Sequence, residues 1–583
     1  MIKKDMYYIA MIALSLLSFL AWADKDAVER HLYYGDLHLH TNDSLDSFIL
    51  NGPTLEPRDA YRFARGERVD YGGRSIQRNR ALDFIAVTDH SENLGLSSQL
   101  ADSQSQVFKT NIGRIWADKG PFQFWAAIVE LISAGKSVPE IPLERFLADA
   151  WEQGVKAANE AYVPGRFTTF IGFEWTSFPA GQNLHRNIIF RDEKPPQPFS
   201  SYESQRPEDL WAWLDEIRQD GYEAIAIPHN SNVSNGLMYD WLNSDEKQID
   251  TAYAETRIRN EPLSEIVQGK GQSETHPSLS HGDQFADFEI FPHLLASNIV
   301  GKVSGSYIRE AWGRGLVLAE RIGINPYQFG VVGGTDFHNG VSTEAEDAYS
   351  GDMIGTDPNA EGFTMEQVIQ RLQPGNRSSG GVERLETAGG AITGAWAEEN
   401  TRSSIYAALR RRETFATSGP RIQVRFFAGW SFSSDILERQ QWVGEAYRDG
   451  IPMGGELRAV PSDHVVSPEF LVWAAKESDG TQLDRIQIVK VWIKNGEPKE
   501  KVFDVRVSLP SSNGAAELVA LWHDPEFQSR HAALYYARVI EVPTLRWSAR
   551  LAQRHNVPQP PGVPTYIQER ASTSPIWYTP QLQ

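Results

Sequence analysis

The 583-residue chain contains no cysteine. That excludes disulfides, zinc–cysteine sites and thiol nucleophiles together, and it leaves His, Asp and Glu to hold any metal. Positive charge is also scarce: 56 Lys and Arg stand against 76 Asp and Glu, a net charge of −20. No basic run offsets this, so nucleic-acid phosphates would repel the chain and no nucleic-acid binding is expected. Long apolar runs are missing beyond the start. There Lys3 and Lys4 precede an apolar stretch from Met6 to Leu20, and Ala21-Trp22-Ala23 follows. This is the pattern of a secretory signal cleaved after Ala23, and it implies a secreted or periplasmic bacterial protein. The stretch is shorter than the ~20 residues of a spanning helix, so no stable membrane span is expected.

What is present is ordinary in bulk, with 41% hydrophobic and 23% charged residues, and long enough for two or three domains. Seven short apolar runs precede residue 335: Leu32–Leu37, Leu82–Val87, Phe167–Phe173, Asn187–Phe190, Glu223–Ile227, Asp287–Phe291 and Phe329–Gly333. Most are bounded by polar residues or glycine and separated by helix-length segments, a rhythm that predicts an α/β fold with a mostly parallel sheet. Three insertions interrupt it, at 92–164, 231–284 and 339–395. The first predicts a helical pair, with Pro121 opening a helix on which Phe122, Trp125, Val129 and Ile132 recur at helical spacing and a second helix from about Leu143 to Tyr162. It either packs on the barrel wall or caps the site that follows His90. The texture changes near residue 420. Alternation over Arg485–Ile493, the turn signal Asn495-Gly496 and renewed alternation over Lys501–Val507 predict a hairpin in a smaller antiparallel β domain, 421–583.

The chemistry-bearing residues sit at the ends of these runs: His38-Leu39-His40, Thr88-Asp89-His90, Glu174, His185, His229-Asn230 and Asp336-Phe337-His338. His38 and His40 are two apart on a strand, so both imidazoles share a face. Asp89 is placed to orient an imidazole as an acceptor. A glutamate after Ile171-Gly172-Phe173 is unusual in a buried position unless it is paired or metal-bound. It would bridge two cations or pair with Arg186. Gly333-Gly334 lets the backbone approach closely before Asp336. Asp46 or Asp43 could return to the site from the following loop, or form an Asx-turn. Together the motifs predict a multinuclear metal site and hydrolysis by metal-activated water.

On these pieces, over about residues 32–340, the chain resembles the polymerase and histidinol phosphatase (PHP) family, in a secreted branch. The resemblance implies a distorted seven-stranded β/α (TIM-like) barrel over 24–420 and two or three divalent ions, Mn, Zn or Fe. One would take His38, His40, Glu174 and Asp336; a second Glu174, His185 and His229; a third Asp46, His90 and His338. Leu45 stands where the family's aspartate is usual, and Asp46 comes one place later.

The expected activity is a phosphoesterase, with a phosphodiester favoured over a monoester, a small-molecule phosphate ester as substrate, and Glu174, Asp336 and His338 in the catalytic set. Arg186 and Asn230 are candidates for substrate contact. An amidohydrolase-type barrel also begins with H-x-H, but usually ends on an isolated aspartate rather than an Asp-x-His pair. A noncatalytic exported protein that binds metal or a phosphorylated ligand is the alternative of a different class.

Overall fold

The computed structural model describes residues 29–581 apart from 53, 139, 296, 348–365, 367–368, 371, 376–382, 460–466 and 510–512. The signal expected over 1–23 and part of the 339–395 insertion lie outside them. Among the described residues no helix is long and apolar enough to cross a membrane.

Six of the seven apolar runs form strands: β1 (His31–Asp36), β2 (Phe84–Val87), β3 (Thr168–Trp175), β4 (Arg186–Phe190), β5 (Ala224–Pro228) and β7 (Gly330–Gly333). Strands β2 to β5 are buried along their whole length, which explains their unbroken apolar texture. The seventh run, Asp287–Phe291, is turn and coil. The strand missed instead is β6 (Leu263–Gln268), whose Ser264, Glu265 and Gln268 disguise a fully buried segment.

The sheet departs from the expected barrel. Strands β1, β2 and β3 run parallel, but β4 is antiparallel to both β3 and β5. On its other side β1 pairs antiparallel with β8 (Ile392–Ala397), then β9 (Thr414–Thr417), and the sheet continues into C-terminal strands to reach thirteen. Strands β6 and β7 pair parallel in a separate small sheet. A single bridge, Leu39 with Phe337, joins the extensions of β1 and β7. The described architecture is therefore a mixed α/β fold with one large mixed sheet and several small ones, most of them antiparallel, and a closed barrel is not shown. Parallel pairing requires close approach at Gly35, where a Cβ would stand 2.2 Å from the Phe84 ring.

Four helices frame the site and the core: α1 (Leu45–Asn51), α2 (Pro121–Ser133), α3 (Leu143–Ala161) and α4 (Ile308–Ile322). The predicted helical pair is present as α2 and α3. The inward face of α2 is Phe124, Ile128 and Ile132, which pack with Leu45, Phe48, Leu96 and Leu100. Phe122 is exposed while Phe124 is fully buried, because residues two apart lie on nearly opposite sides of a helix. The predicted hairpin forms between Leu483–Lys494 and Glu497–Val507. Asn495 and Gly496 both take positive φ, as a two-residue turn requires, and the pairing carries a bulge at Ile486/Gln487. Trp312 of α4 packs against Tyr536 and Val491, so one core runs from the first half of the chain into the last.

Candidate metal centre

Strands β1 to β5 and β7, or the segments that adjoin them, deliver polar groups to one edge. The extension of β1 carries His38 and His40; His90 follows β2; Glu174 lies on β3; His229 and Asn230 follow β5; Asp336 and His338 follow β7. His185 precedes its run in sequence, yet reaches the same edge because β4 runs antiparallel to its neighbours. Asp46 comes from the first turn of α1. Nearly all these groups are buried, and His38, His40 and His229 completely so.

Glu174 sits at the centre. Its Oε1 lies 2.7 Å from His185 Nδ1 and 3.2 Å from His90 Nδ1. Its Oε2 lies 3.2 Å from His40 Nε2 and 3.3 Å from both His38 Nε2 and His229 Nε2. Asp336 Oδ1 is 3.1 Å from His38 Nε2 and 3.4 Å from His40 Nε2. Asp46 Oδ2 is 3.1 Å from His90 Nε2 and 3.2 Å from His338 Nε2. Asp46, rather than Asp43, makes this approach. Three groups are compact enough to hold an ion: His38, His40, Glu174 and Asp336; Glu174, His185 and His229; and His40, His90 and His338.

Hydrogen bonds on the far side of each ring decide which nitrogen is free. His38 Nδ1 lies 2.9 Å from Glu265 Oε2, and His338 Nδ1 lies 2.9 Å from the Asp336 carbonyl. Both partners only accept, or accept by preference, so each Nδ1 carries the proton. Ser44 donates its own hydroxyl proton to Asp89 and stands 2.8 Å from His40 Nδ1, which must therefore donate to it. Thr176 donates to Glu174 and stands 2.6 Å from His90 Nδ1, with the same consequence. Four Nε2 lone pairs are then turned toward carboxylate oxygens, which are acceptors too. Acceptor facing acceptor at these distances is repulsive unless a proton or a cation lies between them. His185 Nε2 and both ring nitrogens of His229 also have no hydrogen-bond partner despite their burial. The donor set, all O and N with no sulfur, suits Mn, Zn or Fe. These residues fit divalent ions.

The electrostatics agree. Burial disfavours the charged form of His38, but Asp336 and Glu265 outweigh it and raise the imidazole well above its usual range. His90 is raised in the same way by Asp46 and Glu174. Burial and the neighbouring His38 push His229 down to about 3, leaving it neutral and able to ligate. His40 is lowered by burial and by His338 and His90. Burial pushes Glu174 up, yet His90, His229 and His185 hold it well below the usual carboxylate range.

The backbone is committed as well. Asp336 and Asn230 take φ of 55° and 52°, the left-handed region that Asp and Asn tolerate best. A Cβ on Gly334 would stand 2.6 Å from the His38 Cβ and 2.5 Å from a Glu265 oxygen, so the glycine expected to permit close approach does so. Asp36 ties the same region together by accepting from Thr335 and Ser342.

One sequence expectation fails here. Arg186 is not at the cavity: it is buried in an ion pair with Glu261, 2.9 Å away, and faces the Trp175 ring. Alternation along β4 turns it to the opposite side from His185. Asn230 does line the cavity and donates to Asp336 Oδ2 at 3.1 Å. Three residues were missed. Lys270 lines the cavity and pairs with Asp336 Oδ2; Gln268 donates to that oxygen at 2.8 Å; Glu265 holds His38. All three belong to β6 or the turn after it. The polar spacing of Glu265, Gln268 and Lys270 after a buried Leu was their one signal.

A model of the family described as "Protein of unknown function (DUF3604)" matches residues 27–511 and 507–580. No curated protein matches the chain. Among solved structures, a two-domain protein from Bacteroides vulgatus containing a predicted PHP-like metal-dependent phosphoesterase is similar over 88% of this chain and 91% of its own, at 11% identity and a TM-score of 0.28. A likeness at that level carries no functional argument, and neither match establishes membership of the PHP family.

Proposed function

The chain belongs to the DUF3604 family, and for it we propose a metal-dependent phosphoesterase, secreted or periplasmic, with two or three divalent ions at the sheet edge. The observation that carries the reading is Glu174, whose carboxylate stands within 3.3 Å of five histidines and belongs to two of the compact ligand groups. A carboxylate so placed is suited to bridge two cations. His38, His40, Glu174 and Asp336 would hold one ion, Glu174, His185 and His229 a second, and His90, His338 and Asp46, with His40 alongside, a third. Bound divalent ions make hydroxide available near neutral pH and stabilise charge developing on phosphoryl oxygens.

The chain's own residues supply the rest. Glu265, Ser44 and Thr176 fix the ring tautomers that turn Nε2 inward, with Asp89 acting through Ser44. Lys270 places a positive charge beside Asp336 at the charged side of the cavity, where it can meet an anionic oxygen of the substrate. Asn230 and Gln268 orient Asp336 by donating to its outer oxygen. From the 92–164 insertion, Trp125, Val129 and Ile132 line the cavity beside these groups.

The test is hydrolysis of bis(p-nitrophenyl) phosphate against p-nitrophenyl phosphate by the Mn²⁺-loaded protein, with Glu174→Gln as the control. Faster diester cleavage is expected, and Glu174→Gln should lower it by roughly a thousandfold or more, several kcal/mol of transition-state stabilisation. Faster monoester cleavage would make the protein a phosphomonoesterase. Bound metal with neither ester cleaved would favour the noncatalytic reading.

A further inference from the structure

The cavity of about 100 Å³ over the metal-type groups has two unlike sides. The floor is charged, with Asp46, Glu174, Lys270 and Asp336. The opposite wall is apolar and consists of Leu45, Trp125, Val129, Ile132, Phe178 and Leu295. Three of these come from α2, in the insertion between β2 and β3. That helix uses Phe124, Ile128 and Ile132 for its own packing. Trp125 and Val129, one turn apart, are only half-buried and face the cavity. Both also pack against the neighbouring apolar cluster, yet part of each side chain remains turned to a charged pocket, where water trapped between the two sides gains nothing from the wall.

Resting on the phosphoesterase reading, we infer that the substrate's ester oxygen carries an apolar group, an aryl ring or short alkyl chain, and that Trp125, Val129 and Leu295 recognise it. Trp125 offers that ring a stacking face, while the phosphoryl end points at the floor. Burial of each additional methylene is worth about a fourfold gain in affinity.

The experiment is calorimetric binding of two hydrolysis-resistant probes, methylphosphonate and phenylphosphonate, to the Mn²⁺-loaded full chain. Phenylphosphonate should bind at least about tenfold more tightly. In Trp125→Ala and, separately, Val129→Ser the preference should shrink to about twofold or less for the first and be reduced for the second, with methylphosphonate affinity unchanged. Metal content and thermal midpoint report that each variant is folded. Equal affinity for the two probes, or a preference that survives both substitutions, would overturn the inference while leaving the phosphoesterase reading intact. Failure of methylphosphonate itself to bind would remove both.

Discussion

Two regions bury charge to the same degree and resolve it differently. Where α4 meets the C-terminal strands, Arg309 of α4 lies 2.6 Å from Glu274 and 2.8 Å from Asp283, and Arg538 lies 3.0 and 2.7 Å from the same two carboxylates. Tyr536 donates to Glu274, and Arg538 donates to Gln487. Donors meet acceptors throughout, and the cluster closes on itself. At the sheet edge around Glu174, histidine lone pairs and carboxylate oxygens meet without enough protons to separate them. Burial and charge alone do not distinguish an internal ion-pair network from a metal centre. The balance of donors and acceptors does.

The comparison can be broken first at the closed cluster. Arg309→Met leaves two buried carboxylates short of a partner and should cost about 3–5 kcal/mol of stability, read by denaturant unfolding, with metal content retained. Loss of metal from that variant would mean that the two regions are not separable.

A smaller effect is expected at the open centre. Saturating Mn²⁺, at a hundred times its Kd, should stabilise the wild type by about 2.7 kcal/mol over the chelated protein. The sign of its pH dependence follows from His38 and His90, whose raised values keep protons on them in the ion-free protein. Those protons stabilise the ion-free fold below the usual histidine range, and that contribution is lost as pH rises through the raised values. An ion must displace them, so the stabilisation by metal should grow from pH 6 to pH 8. A thermal shift independent of pH would argue against histidine ligation. The closed cluster should behave in the opposite sense. Burial raises Glu274 and Asp283, but the two arginines outweigh it and hold both low, so its stability is present above the ordinary carboxylate range and lost only in strong acid.

The smallest expected effect tests the tautomers. Glu265→Gln keeps the shape but removes the charge that draws the proton to His38 Nδ1. Metal affinity should fall about 10–100-fold in a competition titration, with the unfolding midpoint of the chelated protein little changed. Unaltered affinity would show that the Nε2 of His38 is not a ligand atom.

Much of the site was legible before any fold was known. His38 and His40 share a face because strands alternate, and Glu174, His229 and Asp336 announce themselves as polar groups at the ends of buried runs. Lys270, Gln268 and Glu265 were not legible. Their strand carries polar residues at positions that would normally face solvent, and those residues are buried because they turn toward His38 and Asp336. Arg186 was misplaced for a related reason: one residue along a strand reverses the face, and only the pairing of β4 with its neighbours shows which face is the site.

The sequence by itself determined which residues can carry metal chemistry, and where strands β1 to β5 and β7 lie. Ligand type and local periodicity are short-range properties, readable from a few neighbouring residues. Tertiary structure alone decided the direction of β4, the continuation of the sheet into the C-terminal strands, the choice of Asp46 over Asp43 and the arrival of Lys270 beside Asp336. Each of these depends on pairing between segments tens to hundreds of residues apart. No local pattern encodes such a pairing, because it is settled by which buried faces and unmet hydrogen bonds can be satisfied together.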